Sequence, residues 1–204
     1  FQFYDSGTTA VEAGMRVLRA GTGKNEMLSC FYDYHGKTTG AVSLGHIRSF
    51  VYGAVRAPGM HMVPRPDVYH PLWERDGAID TDRYIAFYRE YIDKGTVHDV
   101  AGFVLEPIQG WGGTVMPPDD FFPKLRALCD ELGILLMADE VLTGWGRTGK
   151  WLCMEHWGVL PDVVTIGKGF GNGFPVTCVA VREPYKEAFE SISASSSYGG
   201  NPMA

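Results

Sequence analysis

The sequence has no apolar run approaching the ~18 residues that a membrane-spanning helix requires, so no such helix and no membrane partner is expected. It also has no basic block: Lys and Arg number 18 against 24 Asp and Glu, for a net charge of −6. A phosphate backbone is held by clustered cations, so a nucleic-acid partner is not expected either. Cysteine is scarce. Cys30, Cys129, Cys153 and Cys178 lie far apart and form no C-x-x-C. That argues against a disulfide framework or a zinc site, and the expected setting is reducing and cytoplasmic. Internal repeats and low-complexity tracts are missing as well. Glycine, by contrast, is plentiful, with 26 in 204 residues, and its clusters suggest tight turns or backbone pressed close to a ligand. An apolar content of 45% with 21% charge is that of a globular chain large enough for one sizeable core or two small ones.

Strand and helix patterns alternate along the chain. Residues 1–4 suit a short strand. Thr8 to about Arg19 suits a helix with Val11, Met15 and Leu18 on one stripe and Ser6 or Thr8 as cap. Met27–Phe31, Gly102–Leu105, Ile134–Ala138, Val163–Ile166 and residues 176–181 suit strands, and Thr81–Lys94 and Asp119–Leu132 suit helices. Gly133 stands where it would end the second of those helices. Residues 46–79 hold several Pro and Gly and read as loop. Uniformly apolar strands separated by helices predict a parallel sheet covered on both faces. Both ends break off inside structured-looking sequence, F-Q-F-Y at one and N-P-M-A at the other, so a piece of a longer protein is expected.

Three of these strands run into charge: F-V-L into Glu106, I-L-L-M-A into Asp139-Glu140, and V-V-T-I-G into Lys168. Ligands of open parallel sheets bind at the carboxyl ends of the strands, so the three are candidates for one crevice. The ordinary reading of any single one is that strands end in polar residues. Together, with Lys168 set in G-K-G-F-G-N-G, they favour a site. A partly buried lysine loses pKa to desolvation and can act as a base or form a Schiff base. A buried carboxylate such as Asp139 can keep a ring nitrogen protonated. Pyridoxal phosphate needs both partners. It also needs a phosphate cup, which Ser6-Gly7-Thr8 at a helix start would supply, although helix capping alone explains that triplet.

Two motifs mislead. Gly36-Lys37-Thr38 looks like the end of a P-loop, but Phe31 stands where the loop's first glycine belongs. Gly144 to Gly149 matches G-x-G-x-x-G without directly following a strand or opening a helix. A metal site built from Glu106, Asp139 and Glu140 lacks a histidine at matching spacing.

The runs F-V-L-E-P-I-Q-G (103–110), L-M-A-D-E-V-L-T-G-W-G-R-T-G (136–149), T-I-G-K-G-F-G-N-G-F-P (165–175) and S-S-S-Y-G-G-N-P (195–202) resemble the class III, or omega, aminotransferases. S-G-T-T-A-V-E-A (6–13) and Y-H-G-K-T (34–38) fit the same family, and the ordered set spans nearly the whole chain. The resemblance implies the fold type I large domain of pyridoxal-phosphate enzymes over 1–204, an α/β fold with a mainly parallel sheet and helices on both faces. It implies a pyridoxal-phosphate-dependent aminotransferase that passes an amino group from an amine or amino acid to an oxo acid, with Lys168 as the aldimine lysine and Asp139 at the pyridine nitrogen. It further implies Val141 under the ring, Tyr34 stacked above it, and Ser6, Gly7 and Thr8 at the phosphate. Glu106 matches an acid behind Asp139, near His35. Ser197 matches a residue that reaches the phosphate of the neighbouring subunit, hence a homodimer with shared active sites. Arg147 matches a motif arginine with a structural role.

The sequence departs from the family pattern at Asp5, Thr9, Leu142 and Trp111. Leu142 takes the place of a glutamine that in many members bonds the ring hydroxyl. Trp111 takes the place of a gating glutamate and is a candidate wall of the substrate site. Family members carry an N-terminal segment and a C-terminal small domain beyond this stretch. The same motifs also serve racemases, aminomutases and decarboxylases of this fold, or a catalytically inactive fragment.

Overall fold

The structure, a computed structural model, describes residues 1–45 and 56–203. Its strands are β1 (Gln2–Tyr4), β2 (Glu26–Cys30), β3 (Met60–Val63), β4 (Glu74–Arg75), β5 (Ala78–Ile79), β6 (Val100–Leu105), β7 (Leu135–Glu140), β8 (Val163–Ile166) and β9 (Thr177–Val181). Its helices are α1 (Gly7–Thr22), α2 (Thr39–Ser43), α3 (Thr81–Gly95), α4 (Phe121–Leu132) and α5 (Ala188–Ile192). Among the described residues no helix is long and apolar enough to cross a membrane.

Seven strands form one sheet in the order β1-β9-β8-β7-β6-β2-β3. From β3 to β8 the neighbours run parallel, while β9 is antiparallel to β8 and β1 antiparallel to β9. The mainly parallel α/β sheet with helices on both faces is thus what the structure shows, with two antiparallel strands at one edge.

The pleat sorts the core. Successive side chains of a strand point to opposite faces. In β7, Leu135 and Met137 pack with Val11, Met15 and Leu18 of α1, whereas Leu136 and Ala138 pack with Tyr84 and Tyr88 of α3 and Phe121 and Leu125 of α4. Helix α1 lies so close to the sheet that a Cβ on Gly14 would meet Met137 Cε at 2.6 Å. Ser6 caps its N-terminus by accepting the Thr9 N–H, and Gly23, in the left-handed region at φ 70°, ends it. Gly133 ends α4 in the same way, at φ 60°.

Residues 46–79 are not all loop. Residues 46–55 lie outside the described residues, and the remainder holds β3 and a hairpin of β4 and β5. Asp76 and Gly77 turn that hairpin with φ of 55° and 79°. Asp-Gly is the dipeptide that tolerates two successive positive φ values, so the turn is readable in R-D-G-A. Strand β7 also runs farther than expected, through Asp139 and Glu140, because these pair with Thr165 and Ile166 of β8.

Candidate active site

The carboxyl ends of β6, β7 and β8 and the N-terminus of α1 surround a cleft of about 360 Å³. That is within the size range of small-molecule sites. Gly7, Thr8, Tyr34, His35, Glu106, Asp139, Val141 and Lys168 all line it, so eight of the expected residues meet in one place. Gly36, Lys37 and Leu142 complete the wall.

Asp139 is buried at the base of the cleft. Its Oδ1 accepts the Thr165 hydroxyl at 2.9 Å and the Val141 N–H at 3.1 Å, and its Oδ2 lies 2.7 Å from His35 Nδ1. A carboxylate offers about four lone-pair directions, so one on Oδ2 is left over. Glu140, one residue on, follows the pleat to the other face. There it takes the Cys153 and Met154 N–H groups at 2.7 and 3.0 Å and the Thr143 hydroxyl at 3.1 Å. Glu106, Asp139 and Glu140 therefore do not form one cluster; the adjacent acids part company for a reason as simple as strand periodicity.

Glu106 is buried too. Its Oε1 accepts the Tyr34 N–H at 2.8 Å and its Oε2 the Gly110 N–H at 3.1 Å. Burial, reinforced by the charge of Asp33, pushes its carboxyl up to about 8. Burial also raises the Tyr34 phenol, helped by the charges of Asp139 and Glu106.

Glycines shape the walls. A Cβ on Gly7 and one on Gly167 would each stand 3.1 Å from Val141 Cγ1, so the valine sits wedged between two bare backbones. Gly36, at φ 132°, brings its chain so near α1 that a Cβ would lie 2.3 Å from Thr8 Oγ1. Thr8 Oγ1 is also 2.9 Å from Thr38 Oγ1, whose hydroxyl donates to Glu12 Oε1 at 2.6 Å. These contacts pin the first turn of α1 against residues 34–41. The Thr9 and Ala10 N–H groups are taken by Ser6, which leaves those of Gly7 and Thr8 at the open, electropositive end of a 16-residue helix.

Lys168 departs from expectation. It is exposed rather than partly buried, because the neighbours that leave it room, Gly167, Gly169 and Gly171, have no side chains to cover it. Its φ of 45° lies in the left-handed region, costly for a residue with a Cβ. Ser6 does not line the cleft; it caps α1, and its carbonyl accepts the Thr177 hydroxyl at 2.9 Å. Trp111, 64% exposed, stands outside with its ring 5.8 Å from that of Tyr34, and Ser197 lies exposed in a turn away from the cleft.

Sequence reasoning missed Asp33 and Gln109. Asp33, fully buried, accepts the Cys30 N–H at 2.8 Å and Gln109 Nε2 at 2.7 Å, and its Oδ2 lies 3.8 Å from His35 Nε2. His35 meets Asp139 across 104 residues of sequence, a contact that no spacing rule reveals. The G-x-G-x-x-G match lies in a turn-rich loop followed only by a short 3-10 turn, Cys153–Trp157.

Comparison with known proteins agrees with this geometry. The family model "Aminotransferase class-III" matches residues 1–204. The acetylornithine aminotransferase of Methanosarcina mazei is 37% identical over 202 residues, 99% of this chain and 46% of that protein. The putrescine aminotransferase of Pectobacterium atrosepticum is 37% identical over 210 residues, 99% of this chain and 42% of that one. An amine transaminase from an uncultivated Pseudomonas species, solved in its PLP-bound form, superposes with a TM-score of 0.89 at 32% identity, covering 99% of this chain and 49% of that one. The chain thus spans about half the length of the relatives it matches.

Proposed function

The chain belongs to the class III aminotransferase family, and from that premise we propose that it is the cofactor-binding large domain of a pyridoxal-phosphate-dependent aminotransferase. The observation that carries the reading is a juxtaposition: one cleft is lined at once by the buried Asp139, by Lys168, and by the open N-terminus of α1 at Gly7 and Thr8.

The residues present fit the cofactor on three counts. Asp139 has an unused lone pair facing a cleft with no competing cation on that oxygen except His35. The helix end presents amides and a positive dipole to an anion. Gly7, Gly167 and Gly36 sit where any Cβ would collide with Val141 or Thr8, which keeps the cleft wide enough for a flat ring. When bound, pyridoxal phosphate supplies an electron sink for the pair left behind as a proton leaves the carbon beside the amine.

The chain's own residues supply the rest. Asp139 would hold the proton of the ring nitrogen, Val141 and Tyr34 would pack the two ring faces, and the Gly7 and Thr8 amides would take the phosphate. The Lys168 amine would bond the cofactor's carbonyl carbon and, once displaced, move the substrate proton. Its left-handed backbone lifts that amine clear of the strand end.

The resemblance supports a homodimer in which Ser197 reaches a partner's phosphate, and cytoplasmic residence fits the four free, buried cysteines. The proposed substrates are an amine or amino-acid donor and an oxo-acid acceptor. Names among the relatives, acetylornithine, putrescine and 5-aminovalerate, favour a donor whose amine is remote from a carboxylate.

The test is a panel of such amines against pyruvate and 2-oxoglutarate with the full-length protein and added pyridoxal phosphate. Amino transfer is the expected result. Racemisation, as the name of one relative from Thermococcus litoralis would have it, or no reaction with any pair, would overturn the reading.

A further inference from the structure

His35 is held in a way that the proposed reaction does not by itself explain. It is buried, and each ring nitrogen faces an acid: Nδ1 lies 2.7 Å from Asp139 Oδ2, and Nε2 lies 3.8 Å from Asp33 Oδ2. A neutral imidazole has one donor and one acceptor nitrogen. Here an acceptor nitrogen would point its lone pair at a carboxylate. Only the doubly protonated ring suits both neighbours.

We propose that His35 is a positioning residue, a permanent buried imidazolium strung between Asp33 and Asp139 that fixes the Asp139 carboxylate as an anion aimed into the cleft. The inference rests on the aminotransferase reading only for what Asp139 then does.

The surroundings account for its charge. On the strand side are Asp33, at the end of β2, and Asp139, in β7. Glu106, just beyond β6, faces the same space, with Tyr34 beside it. Lys37 and Lys168 stand at the cleft mouth. Arg65 lies behind, tied to Asp67 at 2.6 Å and to Gln109 Oε1 at 2.7 Å, so its charge is largely answered elsewhere. Burial alone would push the His35 ring down, but its hydrogen bonds to Asp139 and Asp33 outweigh that and set it at about 10. The group that stays neutral is then Glu106, leaving Asp33 and Asp139 as the anions of the cluster. Asp33 is fixed in turn by the Cys30 N–H and by Gln109, so the chain from β2 through His35 to Asp139 is rigid at both ends.

Two measurements test this. The first uses the full-length apo protein labelled with 15N-histidine, and therefore needs no cofactor. Two protonated ring nitrogens on His35 at pH 8 are expected; a neutral ring at that pH overturns the proposal. The second follows the absorbance of bound pyridoxal phosphate against pH in the parent and in His35→Asn. Asn retains a donor toward Asp139 but no charge. Removing a buried cation makes the surroundings more negative, so the midpoint should rise by a unit or more, a tenfold change. An unmoved midpoint would mean that His35 is packing only. If His35→Asn fails to fold, Asp33→Asn serves, with the His35 titration by NMR expected to fall by at least a unit and an unchanged titration counting against us. Failure to bind the cofactor at all would strike the proposed function and leave the NMR result standing.

Discussion

Replacing Glu106 by glutamine should destabilise the protein in acid and stabilise it in alkali. The shape is preserved, but an amide can accept only one of the two N–H groups, of Tyr34 and Gly110, that the carboxyl group now takes. Losing one buried acceptor costs about 1–2 kcal/mol. Against this stands the charge. Glu106 titrates at about 8 in the folded protein, well above its ordinary 4.5. The unfolded chain therefore releases this proton earlier, and the folded state loses stability as pH climbs from 4.5 towards 8, where the loss levels off. At ~1.4 kcal/mol per pH unit the full loss approaches about 5 kcal/mol. The glutamine variant has no such loss. Its curve should cross that of the parent near pH ~5.5 and lie about 3 kcal/mol above it by pH ~9. Urea unfolding of both proteins at several pH values measures this, and the difference between them largely cancels the titration of His35. A difference that stays flat from pH ~5 to ~9 would show that Glu106 is an ordinary ionised surface acid and would refute the burial argument.

Asp139→Asn should lower turnover by at least about 10³-fold, since the amide cannot keep a ring nitrogen charged and would also turn a donor towards His35; near-normal steady-state rates would exclude Asp139 as the ring partner. Gly36→Ala should weaken cofactor binding about tenfold or more, because a Cβ 2.3 Å from Thr8 Oγ1 displaces the first turn of α1, and equilibrium dialysis with pyridoxal phosphate would reveal an unchanged affinity if the cradle were elsewhere. Glu140→Ala should cost about 3 kcal/mol or more, as the N–H groups of Cys153 and Met154 and the Thr143 hydroxyl lose their acceptor in the interior; a melting temperature equal to that of the parent would contradict it.

Much of the architecture is legible in the sequence. The apolar runs of β6, β7 and β8 announce buried parallel strands, and their charged ends announce the crevice, because a parallel sheet opens its ligand site there. The stripe of Val11, Met15 and Leu18 places α1 on the sheet, and Ser6 marks its start. Three things are hidden. The antiparallel turn of β9 follows β8 through the glycine loop around Lys168, and apolar content says nothing of direction. The exposure of Lys168 depends on what covers it, which its glycine neighbours do not. The Asp33–His35–Asp139 chain joins β2 to β7 across 104 residues, and nothing local encodes such a meeting. The separation of Asp139 from Glu140, by contrast, follows from the pleat alone.

The central claim is that Lys168 carries pyridoxal phosphate, and one experiment addresses it directly. The full-length protein is loaded with the cofactor, reduced with borohydride, digested and mapped by mass spectrometry. Lys37 lines the same cleft and serves as the internal competitor. The added pyridoxyl phosphate mass should appear on the peptide containing Lys168 and on no other; label on Lys37, on any other lysine, or on none would contradict the account.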